Sequence, residues 1–253
     1  MLAPSDDWAT RCAAVIPCHN EAASIREIVL GVRRHLPNVF VVDDGSTDPT
    51  ATLAVNAGAE VLRLPRNLGK GSALKAGWKL AQQRGYDWAL TLDGDGQHLP
   101  NDIPALLNHA AATRADLVIG NRMTDARRMP WMRRQANRWM SRCLSRMSGV
   151  RLPDSQCGFR LVNLQAWAAI ELNTHRFEIE SELLLVFIAA GHRVAFAPIQ
   201  TVYPPKCPSK IHPVSDTWRW LRWLVQASGL FCRRARQPAE LSFLTCDTTL
   251  VPK

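Results

Sequence analysis

The stretch Trp88-Ala-Leu-Thr-Leu92, followed directly by Asp93-Gly-Asp-Gly96, indicates the fold of this chain. Its first five residues carry no charge and form a short run, as expected for a buried strand of a parallel sheet. The run ends in two carboxylates separated by one glycine, and a second glycine follows. Ligands of parallel sheets bind outside the carboxyl ends of the strands. The stretch therefore predicts a central strand with a polar site at its carboxyl end.

The same pattern recurs on both sides of this stretch. Further strands are predicted at residues 13–17, 39–42, 60–64, 116–119 and 194–198, and most of them end in a polar loop. Helical spacing of apolar residues follows at residues 25–32, 50–57, 72–84, 131–147 and 216–231. Strands that alternate with helices predict an α/β fold with a Rossmann-like, doubly wound, mostly parallel sheet and flanking helices. The polar strand ends predict a nucleotide-binding unit.

Length and composition fit a single globular domain. The chain has 253 residues, of which 47% are hydrophobic and 21% charged. We expect an N-terminal extension over residues 1–12, the α/β domain over residues 13–205, a basic, tryptophan-rich helical region over residues 206–236 and a tail over residues 237–253.

The net charge of +9 is concentrated in two segments. Residues 111–160 contain eleven arginines and three aspartates, and residues 206–236 contain seven basic residues and one aspartate. Such segments predict an anionic partner, which could be nucleic acid, an anionic membrane surface or a phosphorylated acceptor.

Seven cysteines without a C-x-x-C pair indicate reduced thiols in a cytosolic protein. The acidic N-terminus predicts no signal peptide, and no apolar run approaches the roughly 20 residues that span a bilayer. We therefore expect any membrane association to be peripheral.

Asp93 and Asp95 are the strongest candidates for chemistry. Two carboxylates one residue apart at a strand end can share a hard cation such as Mg²⁺ or Mn²⁺, which bridges the phosphates of a nucleotide. The alternative is a tight Asp-Gly turn with solvated carboxylates. Lys70, between two glycines before a helix, suits a position near a pyrophosphate, although the loop could be only a helix entry.

The loop after the second predicted strand contains three aspartates: Asp43, Asp44 and Asp48. Acidic side chains at a strand end can accept hydrogen bonds from a base or ribose. They can also cap the helix that begins near Thr50. We expect Asp44 to be functional and Asp48 to be the cap.

Two helices combine arginine with large apolar residues. In the helix at residues 131–147 we expect one stripe with Met132, Ala136, Trp139, Met140, Cys143 and Met147, and another with Arg134, Arg138, Arg142 and Arg146. Trp218, Trp220 and Trp223 cannot share one helical face, so at least one should be exposed or lie at a membrane interface. The pattern Gln135-Ala-Asn-Arg-Trp139 is interpreted as a chance match to processive polysaccharide synthases.

Five motifs occur in order: Pro17-Cys-His-Asn-Glu21, Asp43-Asp-Gly-Ser-Thr-Asp48, Asn67-Leu-Gly-Lys-Gly71, Asp93-Gly-Asp-Gly-Gln-His98 and Gly120-Asn-Arg122. Together they resemble the family 2 glycosyltransferases of the GT-A fold, particularly the dolichyl- and polyprenyl-phosphate sugar synthases. The resemblance runs from about residue 13 to residue 203. Asp154-Ser-Gln-Cys-Gly-Phe-Arg160 is similar to the pattern of dolichyl-phosphate glucosyltransferases.

The resemblance implies roles for individual residues. The nucleotide sugar would be bound by Pro17, Asn20, Glu21, Asp43, Asp44, Lys70, Asp93 and Gly94, with Glu21 and Asp44 at the base and ribose. Mg²⁺ or Mn²⁺ would be held by Asp93, Asp95 and Gln97. The acceptor's phosphate would be bound by Arg122, by Arg133 or Arg134, and by Lys210. Catalysis would involve Asp95, Asp154 and Arg122.

The resemblance also implies inversion of the anomeric centre in one in-line displacement. A phosphate monoester, with a second pKa of about 6, is mostly dianionic at neutral pH and needs no general base. A hydroxyl acceptor needs one, and Asp154 is the candidate. Asp154 could instead be a loop carboxylate that fixes Arg160 or a backbone amide. Among Glu178, Glu180 and Glu182, we expect Glu180 to face the cleft.

Three alternatives belong to other classes. A nucleotidyltransferase would also use metal-binding carboxylates, but should have a glycine-rich segment with a Thr-Arg pair after the first strand. A nucleic-acid-binding protein would not account for the acidic residues at the strand ends. A nucleotide-sugar sensor would not need Asp93, Asp95 and Arg122. We therefore expect a cytoplasmic enzyme, peripheral on the inner face of the membrane, that transfers a sugar from a UDP-glucose or GDP-mannose type donor to a polyprenyl-phosphate-like lipid.

Overall fold

The computed structural model describes residues 8–203 and 213–234. Seven strands form one sheet in the order β3-β2-β1-β4-β6-β5-β7. The strands are β1 (Cys12–Cys18), β2 (Val39–Asp43), β3 (Glu60–Arg63), β4 (Trp88–Thr91), β5 (Leu117–Asn121), β6 (Arg160–Asn163) and β7 (Val194–Pro198). β1 pairs in parallel with β2 and β4, β2 with β3, and β5 with β7. The predicted α/β, mostly parallel sheet is confirmed.

Helices flank the sheet. They are α1 (Trp8–Arg11), α2 (Ile25–Arg33), α3 (Thr50–Asn56), α4 (Lys70–Gln83), α5 (Ile103–Thr113), α6 (Trp131–Ser148), α7 (Leu164–Ala168), α8 (Ile179–Ala189) and α9 (Pro213–Arg234). Short 3-10 helices span Pro100–Asp102 and Arg122–Arg128. Since β1 is buried along nearly its whole length, the core lies around the centre of the sheet.

β6 is the exception to the parallel order and was not predicted. It runs antiparallel between β4 and β5, so that Arg160 at its start pairs with Thr91 at the end of β4. The backbone amide of Gly120 also donates to the carbonyl of Phe159 at 2.8 Å. This reversal brings residues 154–159, which precede β6, to the edge of the sheet where Asp93 follows β4.

α6 differs from the prediction. Its buried residues are Asn137, Ser141 and Leu144, whereas the side chains of Met132 and Trp139 are 76% and 44% exposed. The polar pair can be buried because both side chains form hydrogen bonds to residues 154–155. Met140, Cys143 and Met147 of the expected stripe do pack on the core. The stripe is wrong at Met132, Ala136 and Trp139, because hydrogen-bond partners from a distant loop bury Asn137 and Ser141 instead.

α9 packs on α6 through Trp220, which is 2% exposed and lies 5.4 Å from Trp139 between ring centroids. Trp218, two residues earlier, is 71% exposed. The expectation that the tryptophans of this helix cannot all be buried is confirmed. None of the helices in the described part of the chain is both long and apolar enough to cross a bilayer.

Candidate active site

An ion-pair cluster lies at the carboxyl end of β4. The ammonium group of Lys70, the first residue of α4, is 2.5 Å from Oδ1 of Asp93 and 2.6 Å from Oε1 of Glu180 in α8. Burial alone would raise the pKa of Asp93, but Lys70 and the neighbouring His98 outweigh burial and hold that pKa far below its usual value. The cluster joins three segments that are distant in sequence.

Asp95 lies beside this cluster and is less well compensated. Burial, together with the charge of Asp93, raises the pKa of the Asp95 carboxyl above its usual value. Its Oδ1 accepts a hydrogen bond from the amide of Gln97 at 3.0 Å. The side-chain oxygen of Gln97 accepts from Nη1 of Arg133 at 3.3 Å. Gln97 therefore faces an arginine and not Asp95.

The carboxylates of Asp93 and Asp95 fit a divalent cation. Within residues 8–203 and 213–234, no three His, Cys, Asp or Glu side chains form a group that could hold a metal. Mg²⁺ is commonly bound through one or two carboxylates, with phosphate and water oxygens as its other ligands. Burial and the charge of Asp93 raise the pKa of Asp95, and a cation between the two carboxylates would offset both effects. The two aspartates therefore suit a metal that arrives with the nucleotide.

The loop after β1 is tied to the loop after β2. The side-chain oxygen of Asn20 accepts from the amide of Thr47 at 2.8 Å, and the amide of Asn20 donates to the hydroxyl of Ser46 at 2.9 Å. Oδ1 of Asp43 accepts from the amide of Ser46 at 2.8 Å, and Oδ2 pairs with Arg63 at 3.1 Å. Asn20 and Asp43 therefore shape the rim of the predicted nucleotide site.

The loop of Asp93, Gly94 and Asp95, which follows β4, packs directly on the end of β1. A Cβ atom at Gly94 would lie 2.6 Å from Sγ of Cys18, 3.2 Å from Cγ of Glu21 and 3.5 Å from the carbonyl oxygen of Pro17. Only glycine allows this approach. The structure thus brings Pro17, Glu21 and Gly94 together, as expected for residues around one nucleotide.

Asp44 connects the β2 loop to the lysine loop. Its two oxygens accept hydrogen bonds from the amides of Leu68 at 2.7 Å and Gly69 at 2.8 Å, and the residue is 4% exposed. These bonds position Lys70, whereas a contact of Asp44 with a ribose stays a prediction. Asp48 accepts from the amide of Thr50, the first residue of α3, and from that of Ala22. The N-cap position itself is Pro49, so the expectation that Asp48 is the cap is wrong by one residue.

Arg122 and Asp154 form a buried bidentate ion pair. Nε and Nη2 of Arg122 each lie 2.8 Å from an oxygen of Asp154, and the amide of Arg122 donates to the same carboxylate at 3.0 Å. Asn137 adds a fourth donor at 3.0 Å. Burial would raise the pKa of Asp154, but Arg122 outweighs it and lowers that pKa.

This pairing bears on the role expected of Asp154. Its side chain is fully buried, and its lowered pKa makes it a weak proton acceptor. The geometry therefore does not support Asp154 as a general base. It fits the alternative, a loop carboxylate that fixes an arginine and a backbone amide, but the arginine is Arg122. Arg160 instead donates to the carbonyls of Ser155, Cys157 and Glu180.

The other predicted acceptor residues have different positions. Arg133 donates to the side chain of Gln97, two residues after Asp95. Arg134 is half-buried, and its Nε has no hydrogen-bond partner within the described residues. Lys210 lies outside the described residues.

Four further residues contribute to the site. Glu180, favoured over its neighbours, pairs with Lys70, whereas Glu182 accepts from the amides of Asn173 and Thr174. Three were not singled out: His98, Asn137 and Gly158. Each lay within a quoted motif, and His98 directly follows Gln97. The pattern that contains Asn137 was dismissed as chance, although it supplies a donor to Asp154.

The fold and this site are those of a glycosyltransferase. The chain belongs to glycosyltransferase family 2, since the family model described as "Glycosyl transferase family 2" matches residues 13–165.

Named relatives and solved structures agree with this assignment. The undecaprenyl-phosphate mannosyltransferase of Micrococcus luteus is 32% identical over 76% of this chain and 84% of its own length. The UDP-N-acetylglucosamine–dolichyl-phosphate N-acetylglucosaminyltransferase of Methanococcus voltae is 28% identical over 75% and 84%. Glucosyl-3-phosphoglycerate synthase of Mycobacterium tuberculosis, solved with Mn²⁺, uridine diphosphate and phosphoglyceric acid, has the same fold. It superposes with a TM-score of 0.68 at 18% identity, covering 94% of this chain and 83% of that one.

Proposed function

We propose that this enzyme transfers a hexose from a nucleoside diphosphate sugar to the phosphate of a polyprenyl-phosphate-like lipid. The donor is of the UDP-glucose or GDP-mannose type, and Mg²⁺ or Mn²⁺ is required. An oxygen of the acceptor phosphate forms a bond to the anomeric carbon as the bond from that carbon to the diphosphate breaks. The nucleoside diphosphate leaves with the bonding electrons, and the anomeric centre is inverted.

The observation that carries the proposal is the ion pairing of the candidate bases. Asp154 is fully buried against Arg122, and Glu180 is paired with Lys70 at 2.6 Å. A hydroxyl acceptor needs a free base within reach, whereas a phosphate dianion needs none. The paired carboxylates therefore favour a phosphate acceptor. The names of the two transferases described above point to the same class.

The donor half of the reaction depends on the cluster at β4. Asp93 and Asp95 would hold the cation, which neutralises charge on the leaving diphosphate when it is bound. Lys70 lies at the N-terminus of α4, where amide groups and the helix dipole also favour a phosphate. Asp44 holds the loop that carries Lys70. These residues position the diphosphate before transfer.

The acceptor half depends on two arginines. Asp154 accepts from Nε and Nη2 of Arg122 and fixes the guanidinium, and we propose that its Nη1 donates to a phosphate oxygen of the acceptor. Gln97 accepts a hydrogen bond from Arg133 and holds it beside the loop of Asp93 and Asp95. An arginine can bind phosphate through several directed hydrogen bonds, which suits an acceptor that must be aligned with the anomeric carbon.

Exposed apolar side chains near α6 and α9 support association with the inner face of the cytoplasmic membrane. Trp131, Met132 and Trp218 are 65%, 76% and 71% exposed. Both helices also carry exposed arginines. Tryptophan and arginine together suit the headgroup layer of a bilayer. A peripheral position there would bring the active site to a lipid-bound acceptor.

The test is a transfer assay with the full chain and polyprenyl phosphate in detergent. Radiolabelled UDP-glucose, UDP-N-acetylglucosamine and GDP-mannose are supplied in turn with Mn²⁺, and label is counted in the organic phase. We expect transfer from one donor, abolished in Asp95→Asn. Asp87→Asn is the matched control, because Asp87 precedes β4 at the opposite edge of the sheet and pairs with Arg11.

Two outcomes would contradict the proposal. Transfer to a hydroxyl acceptor, with none to polyprenyl phosphate from any donor, would overturn the lipid-phosphate acceptor. Equal activity of Asp95→Asn and wild type would overturn the metal role of the aspartate pair.

A further inference from the structure

A basic groove lies beside the active site on one flank of α6. Its volume is about 690 Å³, and it is bounded by α6, the loop at residues 149–153 and the residues that follow β5. Four arginines line it: Arg138, Arg142, Arg146 and Arg151. The first three are spaced four residues apart and therefore follow one another along the helix. We call this feature the arginine groove.

The charge of the arginine groove is not balanced by the chain around it. All four guanidinium groups belong to exposed residues, and within residues 8–203 and 213–234 none of them has an ion-pair partner. No acidic residue lines the groove either. Like charges four residues apart destabilise a helix. The arginines destabilise the helix and yet converge on one concave surface. This combination indicates a site for an anionic ligand.

The arginine groove is separate from the site described above. None of the predicted donor, metal or acceptor residues is among those that line it. Arg122 is turned toward Asp154, and Arg133 toward Gln97. The two regions adjoin along the Arg122–Asp154 pair, because Asn121 and Pro153 line the groove and directly precede those two residues. A ligand in the groove would therefore lie next to the acceptor site without occupying it.

We propose that the arginine groove binds a phosphate-bearing ligand at a second anion site. Guanidinium groups form charge-assisted, often bidentate hydrogen bonds with phosphate oxygens, and several of them converge here. No aromatic side chain lines the groove, so it offers no surface on which the bases of a nucleic-acid strand could stack. The phosphate could belong to a soluble compound or to a phospholipid headgroup. Binding does not depend on the proposed transfer reaction.

The test compares two phosphate probes on the full chain without donor and with EDTA present. Inorganic pyrophosphate, measured by calorimetry, represents the soluble source. Vesicles of phosphatidylcholine with and without phosphatidylglycerol, measured by cosedimentation, represent the lipid source. The groove variant combines Arg138→Gln, Arg142→Gln and Arg146→Gln. The control combines Arg26→Gln, Arg34→Gln and Lys79→Gln, which removes three exposed charges elsewhere.

We expect at least one probe to bind, and its affinity to fall by about tenfold or more in the groove variant only. Loss of pyrophosphate binding assigns a soluble ligand, and loss confined to phosphatidylglycerol vesicles assigns a headgroup. Because the substituted side chains are exposed, neither variant should unfold below the wild-type midpoint, and the groove variant should unfold slightly above it since like charges along α6 are removed.

Three results would overturn the proposal. The first is that neither probe binds, and the second is an equal loss of affinity in the groove variant and the control. The third is that a random single-stranded oligonucleotide binds more tightly than both probes and loses its affinity in the groove variant. That result would assign the groove to nucleic acid.

Discussion

At the scale of single residues, Lys70 links the donor half of the site to the rest of the fold. One ammonium group balances two carboxylates, and the side chains of all three residues are mostly buried. Removing one partner of a buried ion pair leaves the other charge uncompensated, which costs far more than loss of a surface pair.

Lys70→Met should therefore lower the free energy of unfolding by about 3 kcal/mol, because Asp93 and Glu180 lose their shared partner. It should also weaken UDP binding, since a cation near the diphosphate is lost. Urea unfolding and calorimetry measure the two effects. Lys79→Met, on the exposed side of the same helix, should change neither, and equal effects in both variants would contradict this role of Lys70.

Gly158→Ala should abolish transfer while the protein stays folded. An added Cβ would lie 2.6 and 2.9 Å from the oxygens of Asp93 and 2.9 Å from Nζ of Lys70. These atoms are side-chain ends that can move, so the clash disturbs the site and not the backbone. Transfer assays and the thermal unfolding midpoint measure the two effects. Wild-type activity in this variant would show that the Lys70–Asp93 contact is not needed for transfer.

Asp154→Asn should change how stability depends on pH. The pKa of Asp154 is lowered in the folded chain, so its ion pair stabilises the protein above the unfolded pKa of about 3.9. That contribution is lost as the pH falls below this value toward the folded pKa. At pH 7 the variant should be about 3 kcal/mol less stable than the wild type. As the pH is lowered from about 5 to about 3, its free energy of unfolding should fall less than that of the wild type, because this position no longer has a carboxylate to protonate. Urea unfolding at several pH values measures this dependence. A variant whose free energy of unfolding changes with pH as steeply as that of the wild type would contradict the prediction.

The residues of the site differ in how well sequence predicts them. Asp93 and Asp95 could be found because both follow one strand and their spacing is itself a signal. The contact of Lys70 with Glu180 spans 110 residues, and that of Arg122 with Asp154 spans 32. No local pattern encodes such pairs, so the sequence offered only the nearby Arg160 or a backbone amide as alternatives to a general-base role of Asp154.

At the scale of elements, prediction succeeded where the sequence shows a short apolar run or a single apolar stripe, and failed elsewhere. The central strands and α2 were predicted because they have a clear apolar run or stripe. α8 was missed because it is buried on nearly all sides, and a helix without a polar face shows no helical period. β6 was missed because four residues that begin with a buried arginine do not resemble a strand.

The two tryptophans of α9 should have opposite effects. Trp220 is buried against Trp139, and its Nε1 donates to Ser181 at 2.9 Å, so Trp220→Ala should cost about 3 kcal/mol of stability. Trp218→Ala should leave stability unchanged but reduce binding to phosphatidylcholine vesicles, because its ring is exposed. Thermal unfolding and cosedimentation separate the two effects. Unchanged vesicle binding of Trp218→Ala would contradict a membrane contact at this residue.

At the scale of the whole molecule, acidic and basic groups have separate tasks. The acidic residues expected to bind the cation and the nucleotide lie at the strand ends of the first half, whereas the arginines of α6 and the loop that follows it belong to the second half. The first arrangement suits a cation with its nucleotide, and the second suits phosphate. This division was visible in the sequence, but the structure was needed to separate Arg122 and Arg133 from the arginine groove.

Mn²⁺ and UDP together should stabilise the protein more than either ligand alone. Ligand at about 100 times its dissociation constant adds about 2.7 kcal/mol, which raises the unfolding midpoint of a chain this size by about 5–10 °C. Thermal unfolding with and without EDTA measures the metal-dependent part. That part should vanish in Asp95→Asn and persist in Asp87→Asn, and its persistence in both would place the metal elsewhere.

The antiparallel course of β6 has a consequence for how such enzymes diversify. β5 ends and β6 begins at the same edge of the sheet, so residues 122–159 leave the domain and return to it at one point, and the Arg122–Asp154 pair joins the two ends. This excursion can be lengthened or replaced without disturbing the pairing of any strand. Residues 122–159 therefore form an insertion between two strands whose length and sequence can vary. We expect that exchanging residues 122–154 between relatives changes acceptor preference, whereas Gly158, which packs on Asp93 and Lys70, belongs with the donor residues.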